Sequence, residues 1–221
     1  MITKLSDSSW IKINMDGKVI YFDPGFMGAF QTYRLPKSEY EEPADIIFIT
    51  HHHQDHLNPD FLASIFEPKT FILAPKICQD KIEFNFQQVK PGDTLSHDTI
   101  KIQVVYAYNT PLGHSTVKAH HKGEGVGYII TINQITIYHS GDTDFIPEMK
   151  NLPPIDIAFL PIGGTYTMDI GEACQAVKTI QPKIVIPMHF LQANPEELKK
   201  LLDSEKQIQV AIIKPGESID F

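Results

Sequence analysis

The strongest constraint on the fold is an order of predicted elements that occurs twice along the chain. Its first copy opens with a hairpin that turns at Asp16-Gly17, because aspartate and glycine tolerate the positive φ of a tight turn. An apolar strand, a helix capped by Asn58-Pro59 and a further strand follow. The strands of this copy are predicted at residues 10–14, 18–22, 44–50 and 70–74.

The second copy keeps the same order. Its hairpin turns at Asn133-Gln134, and its helix opens at the capping box formed by Asp169 and Glu172 and ends before Pro182. Its strands are predicted at residues 126–132, 135–138, 155–160 and 183–187. Two copies with one order indicate an internal duplication, in which two sheets face each other with helices outside. The predicted fold class is therefore α/β, a four-layer αββα sandwich with two similar halves.

The length and composition predict one domain over residues 1–221, since 221 residues with 42% hydrophobic content suit a single core. A last helix is predicted after the cap at Asn194-Pro195. A terminal hairpin of residues 209–213 with 217–221, turning at Pro215-Gly216, completes the predicted elements.

Charge and composition exclude several classes of partner. The net charge of −8 argues against binding to nucleic acid, because proteins that bind nucleic acid need clusters of Lys and Arg. No run approaches the ~18 apolar residues of a membrane span. Two cysteines, Cys78 and Cys174, are too few for a disulfide framework. The sequence thus predicts a cytoplasmic protein that acts on a small-molecule substrate and is free to form a homo-oligomer.

Four predicted strands run directly into polar clusters at their carboxyl ends, where α/β folds build their sites. One strand leads into the histidine run that starts at His51, and another leads into Asp142. The other two lead into Gly163-Gly164 and His189. Their convergence favours a metal site over a chance local composition.

The histidine run itself has the spacing of a two-metal site. In Thr50-His51-His52-His53-Gln54-Asp55-His56, alternation places His51 and His53 on one side of an extended segment, whereas Asp55 and His56 can face a second ion. A solvated histidine tract is the alternative, but such a tract has no reason to lie between a buried strand and a capped helix. One ion cannot use all of these donors, whereas two ions ~3.5–4 Å apart can.

These motifs resemble the metallo-β-lactamase fold superfamily over nearly the whole chain. The segments Gly141-Asp142-Thr143-Asp144, residues 160–168 and Ile186-Pro187-Met188-His189 resemble the branch of small metal-dependent hydrolases related to ascorbate-6-phosphate lactonase. The resemblance implies that Asp142 bridges two ions. It implies ligands His51, His53 and a third histidine for the first ion, and Asp55, His56 and His189 for the second.

Two departures from relatives narrow the expected activity. His56 is followed by Leu57-Asn58-Pro59 and not by the glycine pair of glyoxalase II and many lactamases. The substrates of those enzymes are therefore less expected for this chain. The first strand carries Ser6-Asp7-Ser8-Ser9 where lactonase-like relatives often carry Gly-His. The role of that histidine is therefore not transferred to this chain.

The third histidine of the first metal is left open by the motif. Many relatives place it after the strand that corresponds to residues 101–106, where this chain has Asn109. His114, His120 and His121 are the candidates. A subset of the family pairs Ala-Tyr-Asn with a later His-x-Lys-Gly, and this pairing favours His120.

Four other polar residues have competing interpretations. Asp23 is either a turn former at a strand end or a carboxylate that orients a ligand histidine. His139 is interpreted as a packed core residue rather than a ligand. Asn109 is predicted to contact the substrate or a metal-bound water, because its amide is a poor replacement for imidazole on zinc. Tyr166 either presents its phenol to the substrate or packs as an aromatic ring.

The resulting hypothesis is hydrolysis by a dinuclear centre of two divalent ions, with zinc preferred and manganese or iron as alternatives. Asp55 and Asp142 are the predicted catalytic carboxylates, and the bond attacked is an ester, lactone or phosphodiester. A diiron redox protein of the same fold and a non-catalytic metal-binding protein are the alternatives.

Overall fold

The computed structural model describes residues 1–26, 35 and 40–221, and these residues form two compact units. The first unit comprises Met1–Val89 and Ile213–Phe221, and the second comprises Lys90–Ile212. Each unit contains one seven-stranded sheet. Both sheets combine an antiparallel half with a parallel half, as the duplicated order of elements predicts.

The sheet of the first unit has the strand order β14-β1-β2-β3-β4-β5-β6. The pairs β3–β4, β4–β5 and β5–β6 are parallel. The pairs β14–β1, β1–β2 and β2–β3 are antiparallel. The strands are β1 (Ile2–Lys4), β2 (Ile11–Met15), β3 (Lys18–Phe22), β4 (Ile46–Phe48), β5 (Phe71–Pro75), β6 (Gln87–Val89) and β14 (Ser218–Ile219).

One α-helix, α1 (Pro59–Ile65), follows the histidine run of this unit. Asn58 caps it, because its side chain accepts hydrogen bonds from the backbone N–H groups of Asp60 and Phe61. Leu62 and Ile65 are buried and place the helix on a core that also contains Trp10, at 1% exposure. The end of the histidine run is thus attached to a packed helix.

The sheet of the second unit has the strand order β13-β12-β11-β10-β9-β8-β7. Here β10 to β13 run parallel, whereas β7 to β10 pair antiparallel. The strands are β7 (Thr94–His97), β8 (Ile100–Ala107), β9 (Gly125–Ile132), β10 (Ile135–His139), β11 (Ile157–Pro161), β12 (Ile184–Met188) and β13 (Gln209–Val210).

The second unit contains the α-helices α2 (Ile170–Ile180) and α3 (Pro195–Leu201) and a 3₁₀ helix over Pro147–Asn151. The predicted cap at Asp169 is confirmed, since its carboxylate accepts the backbone N–H of Glu172 at 2.7 Å. The Glu172 carboxylate accepts the backbone N–H of His114 at 3.1 Å. Helix α2 buries an apolar stripe of small residues and Val177 in the core of this unit. His139 is fully buried with its ring against Phe159, which agrees with its interpretation as a packed residue.

Parallel strands place their carboxyl ends at the same edge of a sheet, and this rule positions the polar residues of both units. In the first unit β3 leads to Asp23 and β4 leads to His51. In the second unit β10 leads to Asp142 and β12 leads to His189. Each unit therefore gathers part of the predicted ligand set at one sheet edge.

The predicted terminal hairpin is wrong. Residues 209–210 pair in parallel with β12, whereas residues 218–219 pair antiparallel with β1 in the other sheet. The turn signal at Pro215-Gly216 is real, with Gly216 at φ 87°, but the open edges of two different sheets compete for the flanking segments. Among the described residues, no helix combines the length and apolar character that crossing a membrane requires.

Candidate metal centre

The histidine run of the first unit is a tight turn between β4 and α1. The backbone N–H groups of His56 and Leu57 both donate to the His53 carbonyl, at 3.0 and 2.8 Å. His51, Asp55 and His56 are nearly or fully buried, at 4%, 7% and 0% exposure. The turn brings the Nε2 atom of His51 to 3.0 Å from the Nδ1 atom of His53.

Asp23 orients two of these histidines. Its Oδ1 accepts the backbone N–H of Thr50 at 2.7 Å, and its Oδ2 lies 2.7 Å from Nδ1 of His56. Because a carboxylate accepts here, we assign the proton to Nδ1 of His56, which leaves Nε2 as the ligating nitrogen. Asp23 also ends β3 in the left-handed region at φ 49°, so it both turns the chain and orients a histidine.

The same carboxylate acts on His51 through a hydroxyl. Thr50 Oγ1 donates to Oδ2 of Asp23 at 2.8 Å and lies 3.0 Å from Nδ1 of His51. Since the hydroxyl proton is used by Asp23, the oxygen is left to accept from Nδ1 of His51. Nε2 of His51 is therefore the nitrogen that remains for a metal.

The segment that replaces the Gly-His of relatives supplies two hydroxyls to this site. Ser9 Oγ lies 2.8 Å from Nδ1 of His56, and Ser8 Oγ donates to Oδ2 of Asp55 at 3.3 Å. That same Asp55 oxygen lies 3.5 Å from Nε2 of His56. In the sequence these serines stand out only as a departure from relatives. Two hydroxyl side chains directly before a buried strand are the feature that could have indicated their contact with the site.

The second unit brings three predicted ligands together. Oδ2 of Asp142 lies 3.4 Å from Nε2 of His120 and 3.3 Å from Nε2 of His189. All three residues are buried, at 4–6% exposure. His189 follows β12 with φ 51°, and its carbonyl lies so close to Gly163 that a Cβ there would come within 2.6 Å. Gly163 thus makes room for the histidine after β12.

The structure separates the three candidates for the third histidine. Only His120 is placed against Asp142 by the contacts of the described residues. Nδ1 of His114 lies 2.9 Å from Oδ2 of Asp169, with both side chains about half exposed, and this hydrogen bond and charge raise the pKa of His114. His121 is exposed.

The two predicted substrate-binding residues lie beside His120. The amide of Asn109 donates to the Tyr166 carbonyl at 2.8 Å and to Oδ1 of Asp144 at 3.2 Å. Its oxygen accepts the backbone N–H of His120 at 2.9 Å. The Tyr166 side chain is 37% exposed. Their roles toward a substrate stay predictions.

The donor chemistry of both units fits divalent metal ions. Imidazole nitrogens and carboxylate oxygens stand 3.0–3.5 Å apart in each set. Ligands ~2.0–2.1 Å from a tetrahedral zinc ion are about 3.3 Å from one another. Where Nδ1 donates elsewhere, as in His56 and His120, Nε2 faces a carboxylate oxygen, so a proton or a metal ion must lie between them. These side chains thus fit the divalent metal ions that the motifs imply.

Comparison with known proteins agrees with this chemistry. A model of the β-lactamase superfamily domain matches residues 1–189. The chain belongs to this superfamily. A UPF0173 metal-dependent hydrolase from Staphylothermus marinus is 35% identical over 218 residues, which cover 94% of this chain and 92% of that protein. The chain therefore belongs with the metal-dependent hydrolases of the superfamily.

Solved structures confirm the fold class predicted from the sequence, the αββα metallo-β-lactamase fold. A protein from Parabacteroides distasonis, described as a metal-dependent hydrolase, has a TM-score of 0.82 at 36% identity and covers 96% of this chain and 91% of its own. Igni18, a metallo hydrolase from Ignicoccus hospitalis, has a TM-score of 0.80 at 24% identity, with coverage of 99% and 97%. The second likeness shows the fold alone.

Proposed function

We propose that this metal-dependent hydrolase holds two divalent metal ions and hydrolyses an ester, lactone or phosphodiester bond of a small molecule. The observation that carries the proposal is the pair of buried donor sets. In each unit, imidazole nitrogens and a carboxylate oxygen stand within 3.5 Å at the carboxyl edge of a sheet. Burial of such groups is costly unless they are paired or bind a metal.

The number of donors supports two ions. Zinc takes four or five ligands, fewer than the seven side chains proposed here. The proposal keeps the assignment implied by the motifs, with Asp142 shared by both ions. His51, His53 and His120 hold one ion, and Asp55, His56 and His189 hold the other. Imidazole with carboxylate suits zinc, and also manganese and iron, and zinc is our first choice.

The chemistry divides between the ions and the side chains. Two divalent ions held there supply an acidified water as nucleophile and polarise the bond under attack. Asp55 orients that nucleophile, and Ser8 supports it by donating a hydrogen bond to Oδ2. Asp142 contributes a negative charge that offsets the concentrated positive charge of the site.

Metal analysis of the purified protein tests the number of ions. We expect two ions per wild-type chain and the loss of at least one in His53→Ala, measured by inductively coupled plasma mass spectrometry. His97→Ala is the matched control, because His97 lies on β7 outside the ligand set, and this variant keeps both ions. Full occupancy in His53→Ala would contradict the assignment.

A substrate panel tests the reaction. Lactones, phosphodiesters and cyclic nucleotides are assayed with zinc and with manganese, and we expect at least one class to be hydrolysed by the wild type and not by His53→Ala. Bound iron with a reversible visible absorption and no hydrolysis would favour the diiron redox alternative. Two bound ions with no turnover on any class would favour a non-catalytic metal-binding protein.

We also propose that the protein works in the reducing cytoplasm. Both cysteines, Cys78 and Cys174, are free thiols buried in the cores of their units, and burial raises the pKa of each. Buried neutral thiols of this kind are inert packing groups. Separation of the cell contents into cytoplasmic and exported fractions, followed by immunodetection, tests the location.

A further inference from the structure

His120 is the one proposed ligand that neither ends a strand nor lies in the histidine turn. It belongs to the segment between β8 and β9, in which no residue is assigned to a helix or strand. A side chain on such a segment is poorly placed unless other groups hold it, because irregular segments are less constrained than sheets. The contacts that hold His120 are therefore informative.

The amide of Asn109 holds His120 in place. Nδ2 of Asn109 faces two acceptors, Tyr166 O at 2.8 Å and Asp144 Oδ1 at 3.2 Å, and this fixes the orientation of the amide. Oδ1 of Asn109 then faces His120, 2.9 Å from its backbone N and 3.1 Å from its Nδ1. The Tyr166 carbonyl lies 3.2 Å from the same Nδ1, so two acceptors place the His120 proton on Nδ1 and leave Nε2 as the ligating nitrogen beside Asp142.

The orientation of the Asn109 amide depends in turn on Asp144. This carboxylate is fully buried and is contacted from both ends of the segment that precedes His120. Its Oδ2 accepts the backbone N–H of Thr110 at 2.8 Å and the ammonium of Lys118 at 3.1 Å. Lys118 also donates to Gly113 O and Ser115 Oγ, both at 2.8 Å, and so ties the middle of the segment to the same carboxylate.

We propose that Asp144 and Asn109 form a positioning pair that holds the segment carrying His120 and fixes the place of its imidazole. The sequence Gly141-Asp142-Thr143-Asp144 thereby has two carboxylates with separate tasks. Asp142 faces the imidazoles, and Asp144 holds the segment that delivers one of them. The metal-binding part of this inference rests on the proposed function, whereas the positioning of His120 does not.

Asp144→Asn perturbs the pair without changing its size. The new amide has one acceptor oxygen, which remains with Thr110 and Lys118 because two donors face that position. Its NH₂ group then faces Nδ2 of Asn109, and two donors repel. The Asn109 amide cannot turn over, because its oxygen would then face the Tyr166 carbonyl, so Asn109 moves away and His120 loses the acceptor of its backbone N–H. The Tyr166 carbonyl still faces Nδ1, so the imidazole is displaced but keeps its tautomer.

Two measurements follow the change. In the metal-free protein, NMR should show the backbone amide and imidazole resonances of His120 shifted in Asp144→Asn, with the proton still on Nδ1. In chelator competition with zinc, the affinity of one site should fall about 10–100-fold, the usual effect of removing a partner that orients a ligand. The affinity of the other site should be unchanged.

Asp156→Asn is the matched control. Asp156 lies in the same unit and also accepts a backbone N–H, from Thr136 at 2.7 Å, and pairs with a lysine, Lys183, at 2.7 Å. It precedes β11 and so lies at the opposite end of that strand from the metal ligands. This variant should keep the His120 resonances and both zinc affinities.

The double variant Asn109→Asp with Asp144→Asn tests whether the pair acts as a unit. Aspartate at position 109 can accept from both His120 and the new amide at position 144, so part of the lost affinity should return even though the bond to the Tyr166 carbonyl is lost. A double variant no better than Asp144→Asn would overturn the pairing. So would an Asp144→Asn protein with wild-type His120 resonances and wild-type zinc affinity, whatever its thermal stability. Shifted His120 resonances with no zinc bound by the wild type would instead refute the proposed function alone.

Discussion

Asp23→Asn is the substitution whose outcome the structure defines best, because one buried carboxylate controls two proposed ligands. Oδ1 accepts from Thr50 N at 2.7 Å, and Oδ2 contacts both His56 Nδ1 at 2.7 Å and Thr50 Oγ1 at 2.8 Å. Asparagine keeps one of these acceptors. Whichever way its amide turns, its NH₂ group faces a donor, either Thr50 N or Nδ1 of His56.

The expected magnitude follows from those contacts. One buried donor left without an acceptor costs about 1–3 kcal/mol of folding free energy. In a chain of this length each kcal/mol lowers the melting temperature by about 2–4 °C. An amide NH₂ group that faces Nδ1 of His56 disfavours the tautomer that ligates through Nε2, so zinc affinity should fall by about 10–100-fold, or about 1.4–2.8 kcal/mol.

Thermal melting of the metal-free protein and chelator competition with zinc measure the two effects separately. Asp45→Asn is the control, because Asp45 accepts the backbone N–H of Val19 at 2.9 Å at the start of β4, away from the histidines. An asparagine oxygen can retain that bond, and zinc affinity should not change. If Asp23→Asn is folded by circular dichroism and binds zinc as tightly as the wild type, Asp23 does not set the tautomer of His56.

Three further outcomes are expected. Asp142→Asn should lower turnover by at least ~100-fold while its circular dichroism spectrum with metal is unchanged, since the loss exceeds the ~10–100-fold typical of outer partners; unfolding with metal present would make Asp142 a structural residue. The raised pKa of His114 means that its pairing with Asp169 stabilises the fold below the ordinary histidine value of ~6.5 and is lost as pH rises through the raised value. Both side chains are about half exposed, so His114→Ala should lower the free energy of unfolding, measured in urea, by only ~0.2–1 kcal/mol when His114 is protonated. Above the pH range in which His114 titrates the substitution should cost nothing, and an equal loss at all pH values would exclude the ion pair. Gly113→Ala would place a Cβ 2.0 Å from Oδ2 of Asp144, so it should cost about 1–3 kcal/mol of stability and weaken zinc binding, and wild-type values for both would show that the segment can shift.

Local features of this fold could be predicted because neighbouring residues decide them. The turns at Asp16-Gly17 and Asn133-Gln134 both have positive φ, as the hairpin pattern requires. The caps at Asn58, Asp169 and Asn194 each accept a backbone N–H inside the first helical turn. Capping and turn formation involve residues within four positions of one another, so periodicity and side-chain type suffice.

Other features depend on residues far apart in the chain and could not be predicted. The terminal segments 209–210 and 218–219 resemble one hairpin locally, yet two different sheets offer them edges. The Asn109 amide donates to residues 35 and 57 positions away, which no local pattern indicates, and its contact with substrate stays a prediction. The orienting role of Asp23 was one of two interpretations, and the distance to His56 selected it.

The pairing of β14 with β1 has a consequence for the order of events during synthesis. The first unit closes its sheet with residues 218–219, which emerge from the ribosome only after the whole second unit. At ~5–20 residues per second this delay is on the order of ten seconds. Throughout it Ile2 and Thr3 expose an unpaired strand edge, which invites pairing with other chains. Removing the last nine residues would make that exposed edge permanent.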